Sequence, residues 1–459
     1  MIYQKQLETR YTTDVLVAGG GAAGVAAAVS CARMGKRVLL VERGGCFGGV
    51  GTTGMVPSFA PFTDGVNLLA GGVGAEIRSH VSLELPITHS WATIQTEELK
   101  CEYDRIVTES GVDFLFFTSV VDVVTTNGHV DYAVLSSQTG LYAVRADVYI
   151  DCTGDGEFTA LAGGEFALGD ENGDTMPPSV CSLWQGADEE RYRRVNIPER
   201  LEKAIADGVF TYEDRHLTGF SFRDDGLEGG NIGHIFGTDP TDQRSVSDAM
   251  VWGRRSMSEY LRFYREYVDG CENVSLISTA TMLGIRESRR IVCDYTLCGQ
   301  DFLDRACFDD EIGRYCYPVD IHIMNTSREE MVRFKEEFRQ KYRYGRGESY
   351  GIPYRSLIPV SFDNVLTAGR CIGTDRQMEA SVRVMPGCYI TGQAAGTAAA
   401  LALDNGGEVR RVSPTELQAA LAHAGAYIRP ELLNDYSNPP NYPNTPVALN
   451  QPLQSSFVT

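Results

Sequence analysis

Residues 14–42 read DVLVAGGGAAGVAAAVSCARMGKRVLLVE, and the order of residue types in this stretch dictates a βαβ unit. Asp14 to Ala18 is a short apolar run suited to a buried parallel strand. Gly19, Gly21 and Gly24 make G-x-G-x-x-G, and a helix of small residues follows to about Met34. Gly35 breaks that helix, RVLLV forms the next strand, and Glu42 ends it. The glycines allow a tight turn, close approach to a pyrophosphate and close helix–strand packing. The helix N-terminus attracts the phosphates, and Glu42, 18 residues after Gly24, is placed to take a ribose hydroxyl. Strand, helix, strand and acid in register make a dinucleotide-binding unit.

The motif alone does not separate NAD from FAD. The continuation favours FAD over a plain glycine-rich surface loop: ERGGCFGGVGTTG, residues 42–54, holds six glycines in the eleven residues from Gly44 to Gly54. A Rossmann dehydrogenase continues with ordinary βα units after the ribose acid, whereas this backbone can wrap something long. FAD lies extended past this point, and NAD does not need the wrap.

The chain as a whole, 459 residues with 43% hydrophobic and 22% charged, is long enough for two or three domains with a sizeable core. Its net charge is 41 − 61 = −20, which disfavours nucleic acid and anionic membrane surfaces. The first residues, MIYQKQLETRYTTD, have no apolar segment of the secretory type, and no apolar run approaches a membrane span, so a cytoplasmic location is expected. The twelve cysteines are scattered from Cys31 to Cys388 without a C-x-x-C pair or zinc-like spacing. Reduced thiols, mostly small core residues, and no metal site are the expectation.

Two later segments repeat the strand-to-glycine-turn pattern. RADVYIDCTGDGEFTAL (145–161) is a strand ending in Thr153-Gly154-Asp155-Gly156 and running into a helix, and FDNVLTAGRCIG (362–373) is a strand ending in Gly369-Arg370. ASVRVMPGCYITGQAAGTAAALAL follows, with a small-residue helix expected to begin near Gly392. With GGGAAG, LVERGGCFGG, DCTGDG, GIRESRRIVCDYTL, YPVDIH, IPYRSLIP and AGRCIG in this order, the chain resembles the bacterial FAD-dependent oxidoreductases of the glutathione reductase-like superfold over nearly its whole length.

The resemblance implies an α/β fold: a Rossmann-like FAD-binding domain of the glutathione reductase type, interrupted by an α+β substrate domain. The FAD domain is expected to be discontinuous, at 10–165 and 350–410, around a substrate domain at 166–349. The remainder, 411–459, reads as one helix opened by Ser413, Pro414 and Glu416 and an irregular Pro/Asn-rich tail from Asp435. Beyond Gly19, Gly21, Gly24 and Glu42, the resemblance implies cofactor contacts from Ala22, Ala23, Arg43, Gly48, Gly49, Thr52, Thr153, Gly154 and Asp155. Adenine is expected near Val121, in the meander 113–150, and the pyrophosphate and ribitol near Gly369 and Arg370. Gly392 and Gln393 are expected to aim a helix N-terminus at the flavin edge that turns negative on reduction. Disulfide reductases on this fold carry two cysteines four to five residues apart after the glycine loop. Cys46 has no such partner, the next cysteine being Cys101, so a thiol relay is not expected.

The flavin would supply the redox chemistry and the protein the placement. In TMLGIRESRRIV, Arg286, Arg289 and Arg290 stand at i, i+3 and i+4, one face of an expected helix. Such a face either grips a carboxylate or polyol bidentately or is ion-paired surface, helped by Glu287. His234 in GNIGHIFG and His322 in YPVDIH are candidate bases beside a hydride-losing carbon, or else structural. Arg383, Tyr354 and Arg355 return towards the flavin region or brace it. The reading is an oxidoreductase passing a hydride between a small hydroxylated or carboxylated metabolite and FAD at the domain interface. A fumarate reductase-like C=C reductase and a protein with a structural flavin in a larger complex are the alternatives. The electron acceptor, the direction of reaction and a homo-oligomeric state stay open.

Overall fold

In the computed structural model the described residues are 6–81, 91–223 and 225–433, so the tail from Asp435 lies outside them. The N-terminal unit forms as its pattern requires: β1 (Thr9–Ala18), α1 (Ala22–Arg33) and β2 (Val38–Val41), with β1 and β2 parallel and Val15 opposite Val38. β1 lies inside a sheet whose order runs 113–115, 38–41, 9–18, 140–151, 129–137, 119–126. Strand Val365–Thr367 adds to the same sheet, parallel to the end of Gly140–Asp151. The sheet thus joins a parallel half to an antiparallel meander, and the long strand Gly140–Asp151 belongs to both. Its residues Gly140 to Val144 pair with the meander, and Tyr149 to Asp151 pair with 365–367.

One face of the sheet is covered by α1 and the helix Met385–Ala402, which are buried almost all round. Small residues let these helices approach backbone to backbone: a methyl group added at Gly392 would overlap the Ala23 carbonyl, and one at Gly396 the Ala27 carbonyl. Their alanine-rich sequences are therefore a packing code between two helices, not an amphipathic surface pattern.

A second layer comes from the middle of the chain. Strands Ser182–Gln185, Phe220–Phe222, Leu227–Gly230 and Ser275–Thr279 form an antiparallel four-stranded sheet, and the helix Gln243–Tyr267 packs on it. The fully buried Trp184 anchors this layer, its ring 5.7 Å from Phe220 and 5.9 Å from Tyr264. Arg328–Phe334 forms a helix that continues as a π turn. Ser413 caps the helix Pro414–His423 by accepting the Glu416 N–H. Among the described residues no helix is long and apolar enough to cross a membrane.

Candidate active site

In an open parallel sheet, ligands bind beyond the carboxyl ends of the strands where the order reverses. Here β1 has β2 on one side and Gly140–Asp151 on the other. The turns that follow the strands ending at Ala18, Val41, Leu115, Asp151 and Thr367 all reach one cavity of about 310 Å³, lined there by Gly19, Glu42, Thr118, Thr153 and Ala368.

The glycine loop divides its labour. Gly19 has φ of +96°, and a side chain there would strike the Cys152 carbonyl; one at Gly24 would strike the Gly19 carbonyl. Those two glycines serve the turn and the packing. A Cβ built on Gly21 meets nothing within 4 Å, so this residue opens onto free space at the uncapped N-terminus of α1. Glu42 Oε2 accepts the Gly20 N–H at 2.8 Å and Oε1 accepts the Gly44 N–H at 2.6 Å. The acid expected to hold a ribose also ties two glycine turns together.

On the opposite wall, Asp151 accepts the Thr153 N–H and hydroxyl at 3.1 and 2.7 Å, fixing the turn 153–156. Arg370 lies across that turn, donating to the Gly154 carbonyl at 2.8 Å, to Asp155 at 2.6 Å and to the Ile285 carbonyl. The cavity also meets a second uncapped helix N-terminus, that of Met385–Ala402, through Val384, Met385 and Cys388. Two helix N-termini without side-chain caps and a glycine facing open space fit a group that carries two phosphates and gains negative charge on reduction. FAD is such a group.

Of the residues expected at the cofactor, Gly19, Gly21, Ala22, Ala23, Glu42 and Arg43 line the cavity, as do Gly49, Thr153, Gly154, Asp155, Gly369 and Arg370. Others sit behind it. Gly48, at φ +101°, donates its N–H to the Gly20 carbonyl, and the Thr52 hydroxyl donates to the Phe47 carbonyl. Val121 is 42% exposed, and the neighbouring Thr118, Ser119 and Val120 form the wall instead. The helix expected to start near Gly392 starts at Met385, two turns earlier, with Pro386 in its first turn. Gly392 is consequently an interior contact with α1, and Gln393 accepts the Val73 N–H at 3.1 Å.

The far end of the cavity is polar and comes mainly from the central segment: Arg286, Asp320, His322 and Arg383, with Tyr317 and Asn231. No helix forms over 282–289; the chain is irregular there and bridges Ser179 through Gly284 before the short strand Arg290–Ile291. The arginine spacing therefore does not make one face. Arg286 turns into the cavity wall, Arg289 donates to the Asp155 carbonyl, and Arg290 is buried between Glu287 and Glu379 at 2.6 and 3.3 Å. The spacing lacked a cap, and Gly284 and the neighbouring strand pairing prevail.

Arg286 is 8% exposed and donates only to neutral oxygens: Pro177 O at 2.8 Å, Ser179 Oγ at 3.0 Å and Asn231 Oδ1 at 3.2 Å. Among the described residues it has no ion-pair partner. Burial and the nearby Arg383 charge lower its guanidinium to about 10, still cationic at neutral pH. Arg383 donates to the Asp320 carbonyl at 3.0 Å and pairs with its carboxylate at 3.5 Å, and among the described residues its buried Nε has no hydrogen-bond partner. Burial would push the Asp320 carboxyl up, but His322 and Arg383 hold it well below the usual range.

His322 lines the cavity; His234 does not, lying behind it against a second cavity of about 220 Å³. His234 Nε2 is 2.7 Å from His322 Nδ1, His322 Nε2 is 3.1 Å from Asp320, and His234 Nδ1 is 3.2 Å from Asp214. All four ring nitrogens of the pair are thus engaged. Tyr354 donates to the Val409 carbonyl and Arg355 pairs with Asp310 at 2.9 Å, so both brace the fold. Cys46 is half-buried, its thiol 3.9 Å from Thr52 Oγ1, and burial raises it. Sequence reasoning missed Asp320 and Cys388 at the wall, and His216, which lies beside His234 and His322.

A family model described as FAD dependent oxidoreductase matches residues 14–421. No curated protein matches the chain. Solved structures with a similar course include a geranylgeranyl bacteriochlorophyll reductase-like protein from Thermoplasma acidophilum, at 14% identity and a TM-score of 0.43, covering 89% of this chain and 82% of that one. The flavin-dependent brominase Bmp2 has 13% identity and a TM-score of 0.43, with 90% and 83% covered. p-Nitrophenol 4-monooxygenase PnpA from Pseudomonas putida DLL-E4 has 12% identity and a TM-score of 0.42, with 90% and 87% covered. At these scores the structural likenesses carry no argument about reaction or substrate.

Proposed function

We propose that this chain, which belongs to the FAD dependent oxidoreductase family and is an enzyme with FAD as its cofactor, passes a hydride between that cofactor and a small carboxylated or hydroxylated metabolite. The observation that carries the substrate class is Arg286: a buried cation in the cavity wall whose hydrogen-bond acceptors, among the described residues, are all neutral oxygens. Asp320 and Asp214 act on that charge from beyond ion-pair distance, and an anionic or oxygen-rich ligand in direct contact relieves the remaining cost of burying it. Arg383, ion-paired with Asp320 at 3.5 Å, adds a second guanidinium whose Nε has no hydrogen-bond partner among the described residues.

In this reading the fold is of the glutathione reductase type, with 10–165 and 350–410 as the FAD domain and 166–349 as the substrate domain. Gly21 and the first turn of α1 hold the pyrophosphate, Glu42 the ribose edge, and Thr153 to Asp155 with Gly369 and Arg370 the middle of the cofactor. FAD, when bound, supplies the two-electron chemistry. The chain's own residues bind and orient: Arg286 and Arg383 grip the substrate's charged end, and Asp320 with its proton-bearing partner His322 presents a hydrogen-bonding edge beside them. The pair of arginines also suits a dicarboxylate, which favours C=C reduction as the second reading.

The test is anaerobic mixing of the oxidised protein with a panel of hydroxy acids, polyols and sugar acids while flavin absorbance is followed. Bleaching by one class, lost in an Arg286 variant, supports the reading. No bleaching, but reoxidation of the pre-reduced protein by unsaturated dicarboxylates, moves the assignment to the second reading.

A further inference from the structure

Three of the chain's seven histidines meet behind the polar end of the cavity, from segments distant in sequence. One ring nitrogen from each of His216, His234 and His322 lies within 4.8 Å of the others, and the ring centroids are 4.6 to 5.0 Å apart. Two of the rings are oriented from outside. His234 turns Nδ1 to Asp214 at 3.2 Å and His322 turns Nε2 to Asp320 at 3.1 Å. Carboxylates fixing the outer nitrogen of a ligating histidine are the usual support of a metal site. With one N–H of each neutral ring turned to those acids, the inner nitrogens of His234 and His322, 2.7 Å apart, would face each other as lone pairs.

Such a pair requires a cation. A proton would satisfy two rings, but the third is then unexplained. His216 makes no ring hydrogen bond among the described residues, and its ring lies against those of His234 and His322, with centroids 5.0 and 4.6 Å away. We propose that His216, His234 and His322 bind one divalent transition metal of the zinc type, with the fourth position open towards the second cavity. His216 and His234 both line that cavity, which gives the ion an entry path and a water room to complete the set. Zinc–nitrogen bonds of 2.0–2.1 Å put tetrahedral ligands ~3.3 Å apart, so His234 and His322 must part by a few tenths of an ångström. Asp214 and Asp320 supply negative charge behind the ligands, against the positive charge of Arg286 and Arg383. This site does not depend on the substrate class proposed above.

The test uses the flavin-loaded full chain, purified without a histidine tag and dialysed against a chelator. Zinc alone is titrated by calorimetry, and zinc retained after desalting is measured by elemental analysis. The expected result is one zinc per chain, affinity at least ~100-fold weaker in His216→Ala and His216→Gln, and roughly 10- to 100-fold weaker in Asp214→Asn. His129→Ala, at the surface, should bind as the wild type does. Flavin absorbance and melting temperature report folding; if both His216 variants misfold, the wild-type stoichiometry and Asp214→Asn decide. Failure of the wild type to bind zinc stoichiometrically overturns the proposal and leaves a shared proton between His234 and His322. Wild-type zinc binding by folded His216 variants, or by Asp214→Asn where those misfold, overturns it equally.

Discussion

The Glu42 carboxylate and the Gly20 N–H stand 2.8 Å apart, so the acid at the end of β2 holds the glycine turn at the end of β1. Its second oxygen holds Gly44, the first residue of the next glycine run, at 2.6 Å. Replacing Glu42 by Ala frees both turns as well as the ribose edge. Losing hydrogen bonds to a charged group is worth about 1.5–3 kcal/mol, so FAD should dissociate about 10- to 100-fold more readily. Equilibrium dialysis of released flavin measures this, and unchanged affinity would remove Glu42 from the cofactor site.

Two glycine-to-alanine changes should divide stability from cofactor binding. At Gly392 the added methyl strikes the Ala23 carbonyl, and overpacking of this kind costs about 1–3 kcal/mol. At Gly21 the methyl enters open space, so the apoprotein should melt as the wild type does while flavin affinity falls. Melting curves with and without FAD separate the two variants.

The arginines of residues 286–290 should give opposite phenotypes. Arg286→Lys keeps the charge and loses the planar fork, so kcat/KM should drop about ten- to a hundred-fold with little change in melting temperature. Arg290→Met takes one arginine from the fully buried Glu287, which keeps Arg376 at 2.9 Å, and one from the fully buried Glu379, and should cost about 1–3 kcal/mol of stability. A stability loss without a kinetic defect in Arg286→Lys would sink the substrate grip.

Cys46→Ser should keep flavin content and turnover. The thiol has no sulfur partner and does not line the cavity. Dithionite titration should show one electron pair taken up per flavin in both proteins; a second pair in the wild type alone would reveal a thiol relay.

Glu228 links pH to stability. Burial raises its carboxyl to about 7, and among the described residues one of its oxygens has no hydrogen-bond partner. Between the ordinary carboxylate value near 4.5 and 7, the folded chain binds a proton that the unfolded chain has released, so this group's contribution to stability falls as pH rises through that window. Glu228→Gln cannot ionise, so its stability relative to wild type should increase from pH 5 to pH 8. Parallel pH profiles for the two proteins would exclude Glu228 as the source.

What the sequence made legible was local. The β1–α1–β2 unit, the turns after Asp151 and Thr367, and the helix opened by Ser413 each follow from periodicity, glycine placement and caps within one window. Arg286, Arg289 and Arg290 were misread because helical spacing over five residues is weak evidence when Gly284 and strand pairing from distant residues decide the backbone. The start of the Met385–Ala402 helix was placed late because Pro386 and Gly387 look like breakers, although proline suits a first turn. His216 carried no local signal at all. Its scarcity as a residue type was the one available pointer, and only the tertiary fold brings it to His234 and His322.

The shared strand Gly140–Asp151 has a consequence for synthesis. Its residues Gly140 to Val144 find their partners within the same meander, but Tyr149 to Asp151 wait for Val365–Thr367, 365 − 151 = 214 residues later. A chain leaving the ribosome can therefore fold the meander early while the far edge of its parallel half stays open. The helix that completes the cavity, Met385–Ala402, emerges later still. Closure by partners so distant in sequence is intrinsically slow, and until it occurs the nascent chain exposes an unpaired strand edge and an unfinished cofactor cleft. Flavin capture thus belongs to the end of translation.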